Sequence, residues 1–175
     1  MTKFIAFLRA INVGGHTVKM YDLRALFESL GFSNVETFIA SGNVLFESIE
    51  KNTAKLEKTI AGHLEKELGY AVDTFVRTLQ ELNEIKRRCP FMAGKKDDNV
   101  YVAFLHEPLS AEKVSILIAS KNKFNDFAAI GREIYWLRLN RDDSIFLKSS
   151  LERILKISTT IRGMSTISKV NEKHK

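Results

Sequence analysis

The sequence predicts an α+β fold of two ferredoxin-like pseudo-repeats, each of the β-α-β-β-α-β type, with helices packed on mainly antiparallel sheets. Three observations lead there. Short β-rich runs alternate with stretches whose apolar residues recur every three or four positions. Across residues 3–77 the order is strand, helix, strand, strand, helix, strand, the split pattern of a ferredoxin-like unit. From Val100 the same order starts again, as a duplicated supersecondary unit would.

Lys3 to Arg9 opens the chain as a strand with apolar side chains on both faces (Phe4, Ala6 and Leu8 on one, Ile5 and Phe7 on the other), which is the signature of a central strand. Met20, Leu23, Leu26, Phe27 and Leu30 come next at helical spacing, and Gly31 is the natural stop. Val35–Ala40 and Val44–Glu47 are β-rich runs joined through Ser41-Gly42-Asn43, a hairpin connection with glycine where a positive φ is wanted. Asn52 caps a second helix whose Leu56, Ile60, Leu64 and Leu68 form one stripe before Gly69. Val72 to Arg77 is the fourth strand.

Thr78 to Arg88 reads as a connecting helix with Lys86, Arg87 and Arg88 in its last turn, where they favour the helix dipole. Cys89-Pro90 ends it, and a polar loop runs to Asn99. Then come a strand at Val100–Leu105, a helix opened by Ser110, strands at Phe127–Ile130 and Glu133–Leu139 around Gly131-Arg132, and a helix that Ser144 can cap. Met164, Ile167 and Val170 predict a short terminal helix. The expected organisation is a first α+β subdomain (1–77), a connecting helix and loop (78–99), a second α+β subdomain (100–156) and a C-terminal tail with a short helix (157–175).

Composition sets the class. Hydrophobic residues make up 45% and charged residues 27%, as in ordinary globular proteins. A single cysteine, Cys89, points to a reducing compartment, so a cytoplasmic protein is expected. The apolar run Phe4–Leu8, ended by Arg9, is too short for a signal core or a membrane span, and no membrane partner is expected. The net charge of +6 comes from the second half: residues 1–77 carry nine basic and nine acidic side chains, residues 78–175 eighteen and twelve. A basic half has affinity for polyanions, though such a charge is also a common route to solubility.

In a ferredoxin-like unit the strand order is 4-1-3-2, so the carboxyl end of the first strand and the hairpin between the second and third lie on one edge. That topology brings Arg9, Asn12, Gly14 and Gly15 to Ser41, Gly42 and Asn43, beside the start of the first helix. The chemistry on offer is anion binding: helix-start amides, glycines that let backbone N–H groups approach, a guanidinium, and hydroxyl and amide side chains. The plainer reading is that Asn-Val-Gly-Gly and Ser-Gly-Asn are turn chemistry alone.

Other signals are weak. No Walker loop, dinucleotide fingerprint, nucleophile elbow, zinc signature or calcium loop is present, and no cofactor is implied. Of the four histidines, His16 alone falls at the proposed edge. Cys89 has no histidine to activate it and reads as a buried small residue. Tyr101, Tyr135 and Trp136 lie on strands of the basic half, where exposed rings could stack on RNA, but core packing is the default for them.

The run Leu8-Arg9-Ala10-Ile11-Asn12-Val13-Gly14-Gly15, then Met20 and Leu23 before Gly31-Phe32, then Ser41-Gly42-Asn43-Val44-Leu45-Phe46, closely resembles the bacterial family catalogued as domain of unknown function 1697. The resemblance extends over the whole chain, through Cys89-Pro90-Phe91 and the threonine-arginine tail. It implies a small cytoplasmic α+β protein of two similar subdomains, with no activity or cofactor assigned. Where the family pattern runs threonine, arginine, asparagine, tryptophan, a spacer and threonine, this chain has Thr160, Ile161, Arg162, Gly163, Met164, Ser165 and Thr166. Arg162 and Thr166 are kept, whereas the asparagine and tryptophan are replaced by Gly163 and Met164. If the tail completes a site with Arg162, an aromatic platform is missing from it.

Three functions remain open on the sequence. The first is binding of a small anionic ligand, phosphorylated compounds among the candidates, at the edge of Arg9, Asn12, Gly14, Gly15, Ser41, Gly42 and Asn43, with Arg162 as a further contact. The second is an enzyme using that edge, with Ser41 or His16 attacking or moving a proton. The third is a nucleic-acid or protein interaction module of the basic half, carried by Lys86, Arg87, Arg88, Lys95 and Lys96.

Overall fold

The computed structural model describes residues 1–38, 42–92, 99–139 and 148–174. Its elements are β1 (Thr2–Leu8), α1 (Met20–Ser29), β2 (Ser33–Thr37), β3 (Asn43–Ser48), α2 (Thr53–Leu68), β4 (Thr74–Thr78), α3 (Leu79–Arg88), β5 (Val100–Phe104), α4 (Ala111–Ala119), β6 (Asn125–Ile130), β7 (Glu133–Arg138), α5 (Lys148–Leu155), β8 (Thr160–Gly163) and α6 (Met164–Lys173). The chain divides into two units, Met1–Leu82 and Asn83–Lys175, so α3 begins in the first and ends in the second.

In the first unit a four-stranded sheet has the order β2-β3-β1-β4. Every neighbouring pair is antiparallel. β1 is central, as its two-sided apolar pattern requires, and Phe4 to Leu8 are all buried. Leu23 and Phe27 of α1 and Leu56, Ile60 and Leu64 of α2 close one face with Phe4, Ala6 and Leu8. Asn52 caps α2 by accepting from the Lys55 amide at 3.0 Å, and Gly69 ends it at φ 79°. β2 starts two residues before its expected position. A register shift lies between Ser33 and Glu36, and Asn34 within it has φ 49°.

Glu57 is an acidic residue inside the apolar stripe of α2. Its carboxylate accepts from the Val76 amide at 2.8 Å and stands 3.6 Å from Arg77 Nη1, with both side chains buried. Arg77 also donates to the Val76 carbonyl at 2.8 Å. A charge pair taken this far from water survives only because its remaining hydrogen-bonding capacity is met locally.

The second unit repeats the arrangement as β6-β7-β5-β8, again with antiparallel neighbours. Ala103, Leu105, Leu117, Phe127, Ile134, Trp136, Leu151 and Leu155 form its core. Trp136 Nε1 donates to Asn125 Oδ1 at 2.8 Å, and the Tyr135 hydroxyl donates to the Ile85 carbonyl at 2.9 Å. Both rings are buried, and Tyr101 packs half-buried against the same core, so these aromatics stabilise the unit rather than present a stacking surface.

The tail holds more than the terminal helix expected for it. Thr160 to Gly163 pairs with β5 from Phe104↔Thr160 to Tyr101↔Gly163 and supplies the fourth strand of the second sheet. Four residues ending in glycine carry little strand signal of their own; the ladder with β5 makes them one. The repeat then extends one element further, since β4 runs directly into α3 and β8 directly into α6. Met164, Ile167 and Val170 are buried along α6, as their spacing predicts.

Candidate functional site

β1 ends between two other segments of the first unit. The Leu8 amide donates to the Gly42 carbonyl at 2.8 Å, and the Arg9 amide donates to the Asp73 carbonyl at 2.9 Å. Phe7 lies opposite Asn43 on β3, and Leu8 opposite Thr74 on β4. The end of the first strand and the hairpin therefore share an edge. Antiparallel pairing brings the start of β4 there too, a third segment beyond the two expected from the sequence.

Past Arg9 the chain reverses at Ala10, a non-glycine residue at φ 58°. Ile11 then drops into the core with 3% exposure, and its carbonyl accepts from the Tyr70 hydroxyl at 2.9 Å. A Cβ on Gly42 would stand 2.7 Å from Ile11 Cγ2 and 3.2 Å from Leu8 Cβ, so glycine is required there for space as well as for its φ of 75°. Asn12 comes directly after Ile11 and Asn43 directly after Gly42, so each asparagine adjoins one member of this contact.

Both asparagines are engaged in holding the backbone. Asn12 Oδ1 accepts from the Val18 amide at 2.6 Å, closing the loop ahead of α1. Asn43 is 1% exposed; its Nδ2 donates to the Phe38 carbonyl at 3.0 Å, and its own carbonyl accepts from the Phe38 amide at 2.9 Å. Ser41 lies outside the described residues.

The solvent side of the loop is built differently. Gly14 and Gly15 have φ 65° and 86°, and a Cβ on either would meet nothing within 4 Å. The His16 ring stacks on the Tyr70 ring at 3.8 Å between centroids and 20° between planes. Partial burial raises the Tyr70 phenol above its ordinary pKa. At the start of α1 the N-cap residue is Lys19, whose side chain makes no capping hydrogen bond. The first-turn amides are thus not closed by a side chain in the usual way, and Asp22 provides an acidic group in that turn.

Arg162, the further contact expected from the sequence, belongs to the second unit. It lies on β8 in the second unit, opposite Val102, buried to 8% exposure. Its Nη1 donates to Thr160 Oγ1 at 2.7 Å and to the Ile161 carbonyl at 3.0 Å, and burial pushes the guanidinium pKa down to about 10. The structure gives it the place in the second sheet that Arg77 has in the first: each stands two residues before the helix that its strand runs into. Among the described residues no group of three His, Cys, Asp or Glu side chains could hold a metal ion. No described helix is long and apolar enough to cross a membrane. Cys89 is buried, and Lys95 and Lys96 lie outside the described residues.

Residues 1–135 match the model of the family described as protein of unknown function (DUF1697). No curated protein matches the chain. Among solved structures, a conserved bacterial protein, SP0830 from Streptococcus pneumoniae, superposes with a TM-score of 0.76 at 22% identity, over 99% of each chain. That likeness establishes the fold.

Proposed function

The chain belongs to the DUF1697 family of proteins of unknown function, and for this member we propose binding of a small anionic ligand, phosphorylated compounds among the candidates, at the edge of Arg9–Gly15, Gly42 and Asn43. The observation that carries the reading is the start of α1, which lacks a side-chain cap and is reached through Gly14 and Gly15. Unclosed first-turn amides and the positive end of the helix dipole favour an anion, and residues without a Cβ let it approach the backbone. Arg9 and Lys19 place a positive charge at each end of the loop, and His16 adds an imidazole within it. Asp22 offsets part of that field.

The asparagines and Gly42 are assigned a supporting role, setting the shape of the loop, while Arg9, Gly14 and Gly15 meet the ligand. A cytoplasmic protein, as the single cysteine leads one to expect, belongs to the same reading.

Thermal unfolding of the full chain tests it, in the presence of inorganic phosphate, pyrophosphate, nucleotides, sugar phosphates and carboxylates. An anion at a hundredfold its Kd stabilises by about 2.7 kcal/mol, or roughly 5–10 °C for a chain of this size. The shift should disappear in Arg9→Ala. No shift with any of these anions, or a shift that Arg9→Ala leaves intact, overturns the proposal.

A further inference from the structure

The strand that opens the second unit ends as its counterpart does. The Leu105 amide donates to the Arg132 carbonyl at 2.9 Å, next to Gly131 at φ 59°, just as the Leu8 amide donates to the carbonyl of Gly42 at 2.8 Å. The connections leaving the two strands differ. In the first unit residues 9–19 lead to the helix, and Ile11 from that long loop is driven into the core under Tyr70. In the second unit residues 105–110 make the same connection, and beside them lies a cavity of about 370 Å³. That volume is within the range of small-molecule sites, roughly 300–1,000 Å³.

The lining sets the class of ligand. Leu105, Leu109 and Ile157 supply an apolar wall, and Glu107 and Lys113 bring groups of opposite charge beside His106. The start of α4 does not act as an anion cradle here, because Ser110 caps it by accepting from the Lys113 amide at 3.3 Å. Recognition of a negative group falls instead to the Lys113 side chain, and of a positive group to the Glu107 carboxylate. A purely anionic ligand would meet repulsion from Glu107, a purely cationic one from Lys113, and a neutral apolar one would use neither charge.

We infer that the cavity between the β5–α4 loop and the α5–β8 connection binds a small zwitterion with an apolar body, a free apolar α-amino acid being the simplest of that class. This site lies in the other unit from the Arg9 edge and does not depend on the reading given to that edge.

The test is titration of the ¹⁵N-labelled full chain with L-leucine and L-phenylalanine, monitored through amide chemical shifts. Isocaproate and isoamylamine serve as single-charge controls. The expected result is saturable shifts on residues 105–110 and 157–158, with each amino acid binding more tightly than its single-charge analogue. Lys113→Ala and Glu107→Gln, both at solvent-reachable positions where the fold should survive, should each weaken binding roughly tenfold. Shifts centred elsewhere, no shifts with either amino acid, or isocaproate binding as tightly as leucine would each overturn the inference. So would affinity unchanged in both variants.

Discussion

The backbone of Leu8 is hydrogen-bonded to that of Gly42 at 2.8 Å, and the hydrogen that stands for a side chain on Gly42 points at Leu8 Cβ and Ile11 Cγ2. This contact joins the end of β1 to the hairpin and positions everything else at the edge. The Arg9–Gly15 loop packs against it through Ile11.

Gly42→Ala should therefore cost about 2–3 kcal/mol, combining a left-handed φ with a clash against two core side chains. Gly14→Ala, at a similar φ but with nothing near its added methyl, should cost about 1 kcal/mol. Urea unfolding of the two variants checks the difference. Equal losses would mean that space at Gly42 does not matter.

Asn12→Ala removes the acceptor for the Val18 amide and should destabilise the chain by about 1–2 kcal/mol. Asn12→Asp keeps an acceptor, so its melting temperature in the absence of ligand should stay near that of the parent. Its added negative charge should, however, reduce stabilisation by phosphate or pyrophosphate. Unfolding scans with and without these anions separate the structural role from the binding role.

Glu57→Ala leaves the Arg77 guanidinium buried and the Val76 amide without its carboxylate, and should cost about 3–5 kcal/mol. Glu57→Gln keeps the acceptor oxygen and should lose less. Circular dichroism melts rank the pair, and a milder effect for alanine than for glutamine would contradict the buried-pair assignment.

Tyr135 makes stability sensitive to alkali. Its phenol is raised well above the ordinary tyrosine value of 10.0, first by burial and then by the nearby Glu133 carboxylate. The unfolded chain releases that proton above about pH 10 while the folded chain keeps it, so the folded state binds more protons and its stability falls as pH rises. Arg162, lowered by burial to about 10, acts in the opposite direction over the same range. Tyr135→Phe isolates the first effect. It should be less stable than the parent at pH 8, through loss of the bond to the Ile85 carbonyl, yet decline less steeply from pH 9 to 11, as urea titrations would show.

Legibility in the sequence tracked the range of the interactions involved. Asn52 and Ser110 were readable as caps because a cap is satisfied within three residues, at Lys55 and Lys113. The central position of β1 was readable because apolar residues on both faces need cover on both. Thr160–Gly163 was not, since its strand character rests on β5, some sixty residues earlier. Topology was enough to put Asn12 and Asn43 at one edge, but sequence cannot say whether an amide side chain faces a ligand or its own backbone. Here the two side chains bond to the backbone of Val18 and of Phe38.

By itself the sequence determined the order of strands and helices as far as the tail, the duplication and, through the topology these imply, the edge at which the first strand meets the hairpin. Periodicity and turn residues are local properties, and they suffice for that. Only the tertiary structure decided that Ile11 fills one unit's edge while the shorter loop of the other leaves a cavity, and that Arg162 is buried in a sheet. Those outcomes depend on side-chain volumes and on hydrogen bonds between segments far apart in the chain, such as the Tyr70 hydroxyl to the Ile11 carbonyl and the ladder of β8 with β5.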